Sequence, residues 1–229
     1  MCGRFVVSRE LSDLKELFEA DVPAYFESQS FNIAPTHTAP IVVEREIEGL
    51  PAREIHPARF GLIPHWAKEV PAPLFNARIE TVLEKPSFRD AALRKRCVVP
   101  ASGYFEWDAQ KQPHYIFSDP VLCFAGIFSF WRDPSKAQTD PSRWVLSFSI
   151  LTKPASESLA WVHERSPVFL SEEGVDAWLS PDYETTPDLL DALGRESDVF
   201  AQLLQHYPVS KSVGKVSENS IDLISRISL

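Results

Sequence analysis

The chain has 229 residues, 44% of them apolar and 24% charged, which is ordinary for a soluble globular protein. Its three cysteines, Cys2, Cys97 and Cys123, are too few and too scattered for a disulfide framework, and none has the close partners that a zinc site needs. No apolar run approaches a membrane span and no charged-then-apolar leader precedes the domain, so the expectation is a cytoplasmic protein with no membrane partner. The formal net charge of −9 argues at first against nucleic acid. It is uneven, however: residues 172–198 are strongly acidic, whereas Arg4, Arg78, Arg89, Arg94, Lys95 and Arg96 gather earlier. An acidic lobe can coexist with a local basic groove.

Taken in order, residues 3–7 read as a strand, after which Ser8 is placed to cap a helix carrying Leu11, Leu14, Leu17 and Phe18 at helical spacing. Residues 21–30 read as a loop and 31–35 as a short extended segment ending in a turn. Strands are expected over 41–45 and over 58–66, the second stopped by Pro64. Pro71 and Pro73 hold the approach to residues 74–78 extended. A helical region with Phe88, Ala91, Ala92 and Leu93 follows. Residues 97–107 read as one strand, bent or bulged near Pro100 and Gly103. Further strands are expected at 114–118, 121–131 and 144–152, with a polar loop over 133–142.

After residues 168–170, a helix is expected around 175–179. A second has Thr186 and Pro187 as cap and first turn and Gly194 at its far end. The tail from Tyr207 to Ile227 reads as extended. With no repeats, no splitting linker and no βαβ alternation, the chain is expected to be one α+β domain over residues 1–229. Its sheet should be mainly antiparallel, curled towards a barrel and flanked by helices.

Several segments have residue choices that packing alone does not explain. Met1 is followed by a small residue, so processing would leave Cys2 with a free α-amine beside its thiol; by position alone, a small apolar residue near the start is the plainer reading. That 1,2-aminothiol condenses with an aldehyde to an imine and closes through sulfur to a thiazolidine. The α-amine, with a reference pKa of about 7.7–8.0, is far more often free base at neutral pH than a lysine, and a thiol near 8.5 needs modest help to ionise. In Gly103-Tyr104-Phe105-Glu106-Trp107, alternation puts Glu106 on the opposite face from Phe105 and Trp107. A carboxylate desolvated in such surroundings suits proton shuttling, and a salt-bridged edge glutamate would look the same.

His163 and Arg165 stand two apart in extended chain, an imidazole and a guanidinium suited to an anionic, proton-transferring site or to structural roles. Asn76 and Arg78 share that spacing: the amide suits a sugar or base edge and the guanidinium a phosphate, with a turn and an ion pair as the plain alternative. Pro35 and Trp66 offer rigid surfaces on which bases can stack, or ordinary packing.

Together these stretches resemble the SOS-response-associated peptidase (SRAP) family of abasic-site-binding proteins. The resemblance rests on Met1-Cys2-Gly3-Arg4-Phe5, Asn32-Ile33-Ala34-Pro35-Thr36, Asn76-Ala77-Arg78-Ile79-Glu80-Thr81 and the run from Arg96-Cys97 to Glu106-Trp107. His163-Glu164-Arg165 with Pro167, and Pro208-Val209-Ser210 through Val213-Gly214, complete it in the family's order. Ser166 and Lys215 depart from the family's usual methionine and asparagine, and neither removes a reactive group.

The resemblance implies capture of abasic sites in single-stranded DNA, including strands at a single/double-strand junction, as a thiazolidine crosslink through Cys2. It gives Glu106 and His163 proton-transfer roles and Asn76 a positioning role. Arg4, Arg78 and Arg165 would grip phosphates, and Pro35 and Trp66 would support bases. It implies no cofactor, no metal and a monomer, nucleoid-associated if bacterial. The imine permits a slow β-elimination, and the peptidase in the family name reads as self-processing that exposes Cys2. Two other classes stand beside it: an N-terminal-nucleophile hydrolase using the Cys2 thiol, and a non-covalent single-strand DNA binder.

Overall fold

The computed structural model describes residues 2–119 and 121–228. Strands β1 (Phe5–Val7), β2 (Ser30–Ile33), β3 (Thr38–Ile47), β4 (Leu50–Phe60), β5 (Asn76–Arg78) and β6 (Arg96–Ala101) are followed by β7 (Gly103–Trp107), β8 (Pro113–Phe117), β9 (Leu122–Arg132), β10 (Trp144–Pro154), β11 (Arg165–Pro167) and β12 (Gln205–Pro208). Helices α1 (Leu11–Phe18), α2 (Arg89–Arg94), α3 (Glu172–Leu179) and α4 (Pro187–Phe200) flank them. Within a seven-stranded sheet, β10, β4, β3, β6 and β9 close into a ring because β9 also pairs with β10; β5 and β11 add to β10. The second sheet runs β12-β8-β7-β1-β2. Pairing is antiparallel except where β10 meets β4 and β5. The expected α+β, barrel-like class is the fold observed. None of the helices among the described residues is long and apolar enough to cross a membrane.

The segment read as one strand over 97–107 is two. At Ser102 the chain leaves the ring and enters the second sheet, so β6 and β7 face different neighbours. Gly103 is required there, since a Cβ would lie 2.4 Å from the Tyr115 ring. Ser8 does not cap α1. Its amide and hydroxyl both donate to the Ser102 hydroxyl, at 2.9 and 2.7 Å, and stitch β1 to this corner.

The strand expected at 58–66 begins much earlier, at Leu50. A two-residue turn at Glu48 and Gly49, both at positive φ, makes β3 and β4 a long hairpin. Pro51 and Pro57 are tolerated because β4 meets β10 only at Arg59 and Phe60, and before them its outer edge is bridged at Glu54 by Asp21, which uses the Arg53 carbonyl and the Ile55 amide and needs neither proline nitrogen. Helix α4 passes through Gly194 to Phe200 rather than stopping there. Burial of Leu190, Leu193 and Ser197 outweighs the roughly 1 kcal/mol an interior glycine costs, and the Ser197 hydroxyl accepts the Phe169 amide at 2.9 Å. The tail carries β12 and two short 3-10 turns, whose Val213 and Leu223 cover the outer face of β7.

Candidate functional site

Cys2 lies just before β1 and is fully buried. Phe5 pairs with Tyr104, and the Phe105 amide donates to the Arg4 carbonyl at 2.9 Å. This register lays the first residues along the part of β7 that carries Glu106. Alternation sends Tyr104 into the main core, while Phe105 and Trp107 pack with Val6, Val209 and Val213 on the other face. Glu106 shares Tyr104's side, as its position in the strand requires, and is 5% exposed.

Burial, and then the nearby Glu106 charge, push the Cys2 thiol well above its ordinary value. The expectation of an easily ionised thiol is therefore overturned: water is excluded and the neighbouring charge is negative. The Tyr104 phenol is raised by burial, Cys2 and Glu106 in turn. Tyr104 is a member of this group that the sequence reading passed over, although its place two residues before Glu106 on a strand was a usable signal. Met1 lies outside the described residues, so its expected removal is a matter of processing rather than geometry.

Strand β5 lies parallel to β10, with Asn76 opposite Ile150 and Arg78 opposite Thr152. The preceding ring, Phe75, packs 5.9 Å from Phe60, which meets Phe5 at 5.3 Å and ties this segment to β1. Both side-chain amide atoms of Asn76 are buried, and neither has a hydrogen-bond partner among the described residues. A buried polar group left so costs about 1–3 kcal/mol, a cost that packing does not recover.

On the other side of β10, Pro154 pairs with Arg165 and Thr152 with Pro167. His163 Nδ1 accepts the Arg165 amide at 3.0 Å, which places the neutral ring's proton on Nε2. Trp161, two residues earlier, docks edge-on against His114 at 4.9 Å and tilted on His206 at 4.4 Å. His114 is the cross-strand partner of Glu106 and holds Asp108 at 3.2 Å. Trp161 thus pins the His163 loop to the Glu106 strand pair. Ring contacts thus link the His163 loop to the Glu106 strand pair through Trp161 and His114, and the Asn76 segment to β1 through Phe75, Phe60 and Phe5.

The arginines divide. Arg4 donates to Asn32 Oδ1 at 2.8 Å and to the carbonyls of Val213 and Gly214 at 2.6 and 3.2 Å. Buried Asn32 donates onward to the carbonyls of Val213, Lys215 and Glu218, so the pair clasps the C-terminal tail to β1 and β2. Arg165 is held bidentately by Glu80, both contacts at 2.9 Å, and donates to the Thr152 carbonyl at 2.7 Å. Arg4 thus has structural commitments that the sequence reading did not foresee, Arg165 has those of the structural role that reading kept open, and Arg78 is exposed. The basic cluster is also partly spent: Arg96 is buried against Trp178, Tyr183 and the 180–185 segment, and Arg94 pairs with Glu184.

Pro35 sits half-buried in the turn before β3, next to Thr36 at φ 82°, where the Thr36 amide donates to the Phe60 carbonyl. This positive φ is strained for a β-branched residue. Trp66 is 54% exposed. Two cavities border α1, and neither is lined by Cys2, Asn76, Glu106 or His163. No group of three His, Cys, Asp or Glu side chains able to hold a metal occurs among the described residues.

The profile of the SOS response associated peptidase (SRAP) family matches residues 1–216. The abasic site processing protein YoqW of Bacillus subtilis is 34% identical over 98% of this chain and 99% of its own. The abasic site processing protein YedK of Escherichia coli is 29% identical over 99% of this chain and all of its own length. A solved structure from Bacteroides thetaiotaomicron, 24% identical, superposes over 99% of this chain and 100% of that one with a TM-score of 0.80, which speaks for the fold.

Proposed function

The chain belongs to the SRAP family, and from that premise we propose that it processes abasic sites by covalent capture in single-stranded DNA, through Cys2 exposed by loss of Met1. The relatives' names support the abasic-site role. The observation that supports the chemistry is the register of β1 on β7, Phe5 opposite Tyr104 with the Phe105 amide on the Arg4 carbonyl, which runs buried Cys2 alongside the Glu106 end of β7.

The α-amine of Cys2 attacks the C1′ aldehyde of the ring-opened deoxyribose, and the carbinolamine loses one water to give an imine. The sulfur then adds to the imine carbon while the thiol proton ends on nitrogen, closing a thiazolidine. The net reaction is aldehyde plus aminothiol to thiazolidine plus water. A neutral thiol must shed its proton as the C–S bond forms, and Glu106 is the adjacent base. His163 serves the sugar oxygen as it leaves the ring, with its Nε2–H as the donor. Asn76 supplies both halves of its amide to the opened sugar, and Arg78 meets a flanking phosphate. The imine is also the branch point for slow β-elimination, which ring closure suppresses.

A lesion-bearing oligonucleotide incubated with Met1-free protein should give a denaturant-resistant shifted band. The band requires both the abasic site and Cys2, and is lost in Cys2→Ala. A band of equal strength in Cys2→Ala would overturn the reading.

A further inference from the structure

We propose that the outer end of the β9–β10 hairpin is a second DNA-contacting surface, on which bases of the strand flanking the lesion stack on Trp144 and Phe130 while Arg132 and Arg143 neutralise phosphates. The proposal rests on the single-strand reading above and extends its footprint.

The register pairs Arg132 with Trp144 and Phe130 with Leu146, so both aromatics and Arg132 share one face of the two strands. Trp144 is 51% exposed and Phe130 47%, an unusual outlay of aromatic surface on adjacent strands. The Arg143 guanidinium lies 5.2 Å from the Trp144 ring centroid. Neither arginine is ion-paired among the described residues. The acids nearest in sequence are turned into their own loop: Asp133 accepts from Ser135, and Asp140 from Ser142. Two half-exposed rings, one of them with Arg143 against it, and two guanidinium groups without a carboxylate partner are the components with which proteins hold single strands without reading sequence.

The alternative occupant, a second copy of this chain, is disfavoured by charge. A two-fold contact through this face would press two copies of the same arginine-bearing patch together. A polyanion has the opposite preference. The reverse face of the same hairpin is tied to the Trp66 loop, through Trp131 Nε1 donating to the Ala67 carbonyl at 2.6 Å. Along β10, residues 144 and 150 are about 20 Å apart at roughly 3.3 Å per residue.

The test is fluorescence anisotropy with undamaged single strands of about 4 and about 16 nucleotides, a length range typical of such sites. Wild-type protein should bind the long strand well above the short one, and a Trp144→Ala, Phe130→Ala double variant should lose about tenfold on the long strand alone. Arg132→Gln should lower the salt slope of long-strand binding by about one. Both aromatics are exposed, so an unchanged melting temperature verifies the fold. Long-strand affinity and salt slope equal to wild type in these variants overturn the proposal, as does a wild-type dimer in sedimentation that the double variant dissociates. Undamaged strands cannot crosslink, so failure here leaves Cys2 capture standing, and failure of capture leaves this result readable.

Discussion

Asn76→Leu should make the protein more stable and disable it. The two amide atoms of Asn76 are buried without partners, so the folded state carries their desolvation and receives no bond in return. Leucine has nearly the same shape and no polar atom, and relieves roughly 1–3 kcal/mol. In a chain of this size each kcal/mol moves the melting temperature by about 2–4 °C, so a rise of about 2–12 °C is expected in calorimetry. The same substitution removes the group that orients the opened sugar, and a misaligned attack costs about 10²-fold in crosslinking rate. Calorimetry and single-turnover crosslinking on one preparation decide both halves. A melting temperature below wild type would mean that the amide stabilises the native state, and a wild-type rate would mean that it does not touch the sugar.

Trp161→Ala should lower the melting temperature, since the ring packs on His114 and His206 and donates to the Ser158 carbonyl, and should slow crosslinking at least tenfold by releasing the His163 loop; a normal rate in the variant refutes the pinning. Arg4→Ala breaks three hydrogen bonds to Asn32 and the tail and should cost about 1.5–3 kcal/mol, with faster limited proteolysis after residue 208; an unchanged cleavage pattern refutes the clasp. Burial pushes the Cys97 thiol well up and the Cys123 thiol to about 12, so the folded state keeps protons that the unfolded chain loses above about 8.5. Their stabilisation is complete below that pH and declines above it by about 1.4 kcal/mol per thiol per pH unit. The melting temperature should therefore be flat from about pH 7 to 8 and fall beyond 9, less steeply in Cys123→Ala; parallel curves for the two proteins would contradict the assignment.

Residues whose chemistry and strand alternation agree were legible from the chain alone: Glu106 separated from Phe105 and Trp107, and the barrel-like class from many strands without βαβ order. What escaped was decided by distant partners. Ser8 looked like a cap, but the Ser102 corner claims both its polar groups. Gly194 looked like a helix end, but Ser197 and its neighbours are needed to hold the Phe169 segment. The intrachain partners of Arg4 and Arg165 were not legible either, because a guanidinium shows the same sequence signature whether its carboxylate, carbonyl or phosphate partner comes from the chain or from a ligand. The Cys2 thiol was misjudged for the same reason, since its burial is set by strands remote in sequence.

The most direct test is tandem mass spectrometry of Met1-free protein after reaction with an abasic oligonucleotide, with borohydride and a thiol-alkylating reagent added before digestion. The account predicts an adduct on Cys2 alone, formed with loss of one water, that borohydride does not reduce and that leaves the Cys2 sulfur closed to alkylation. An adduct on a lysine, or one on Cys2 that borohydride traps while its thiol still alkylates, would contradict thiazolidine capture.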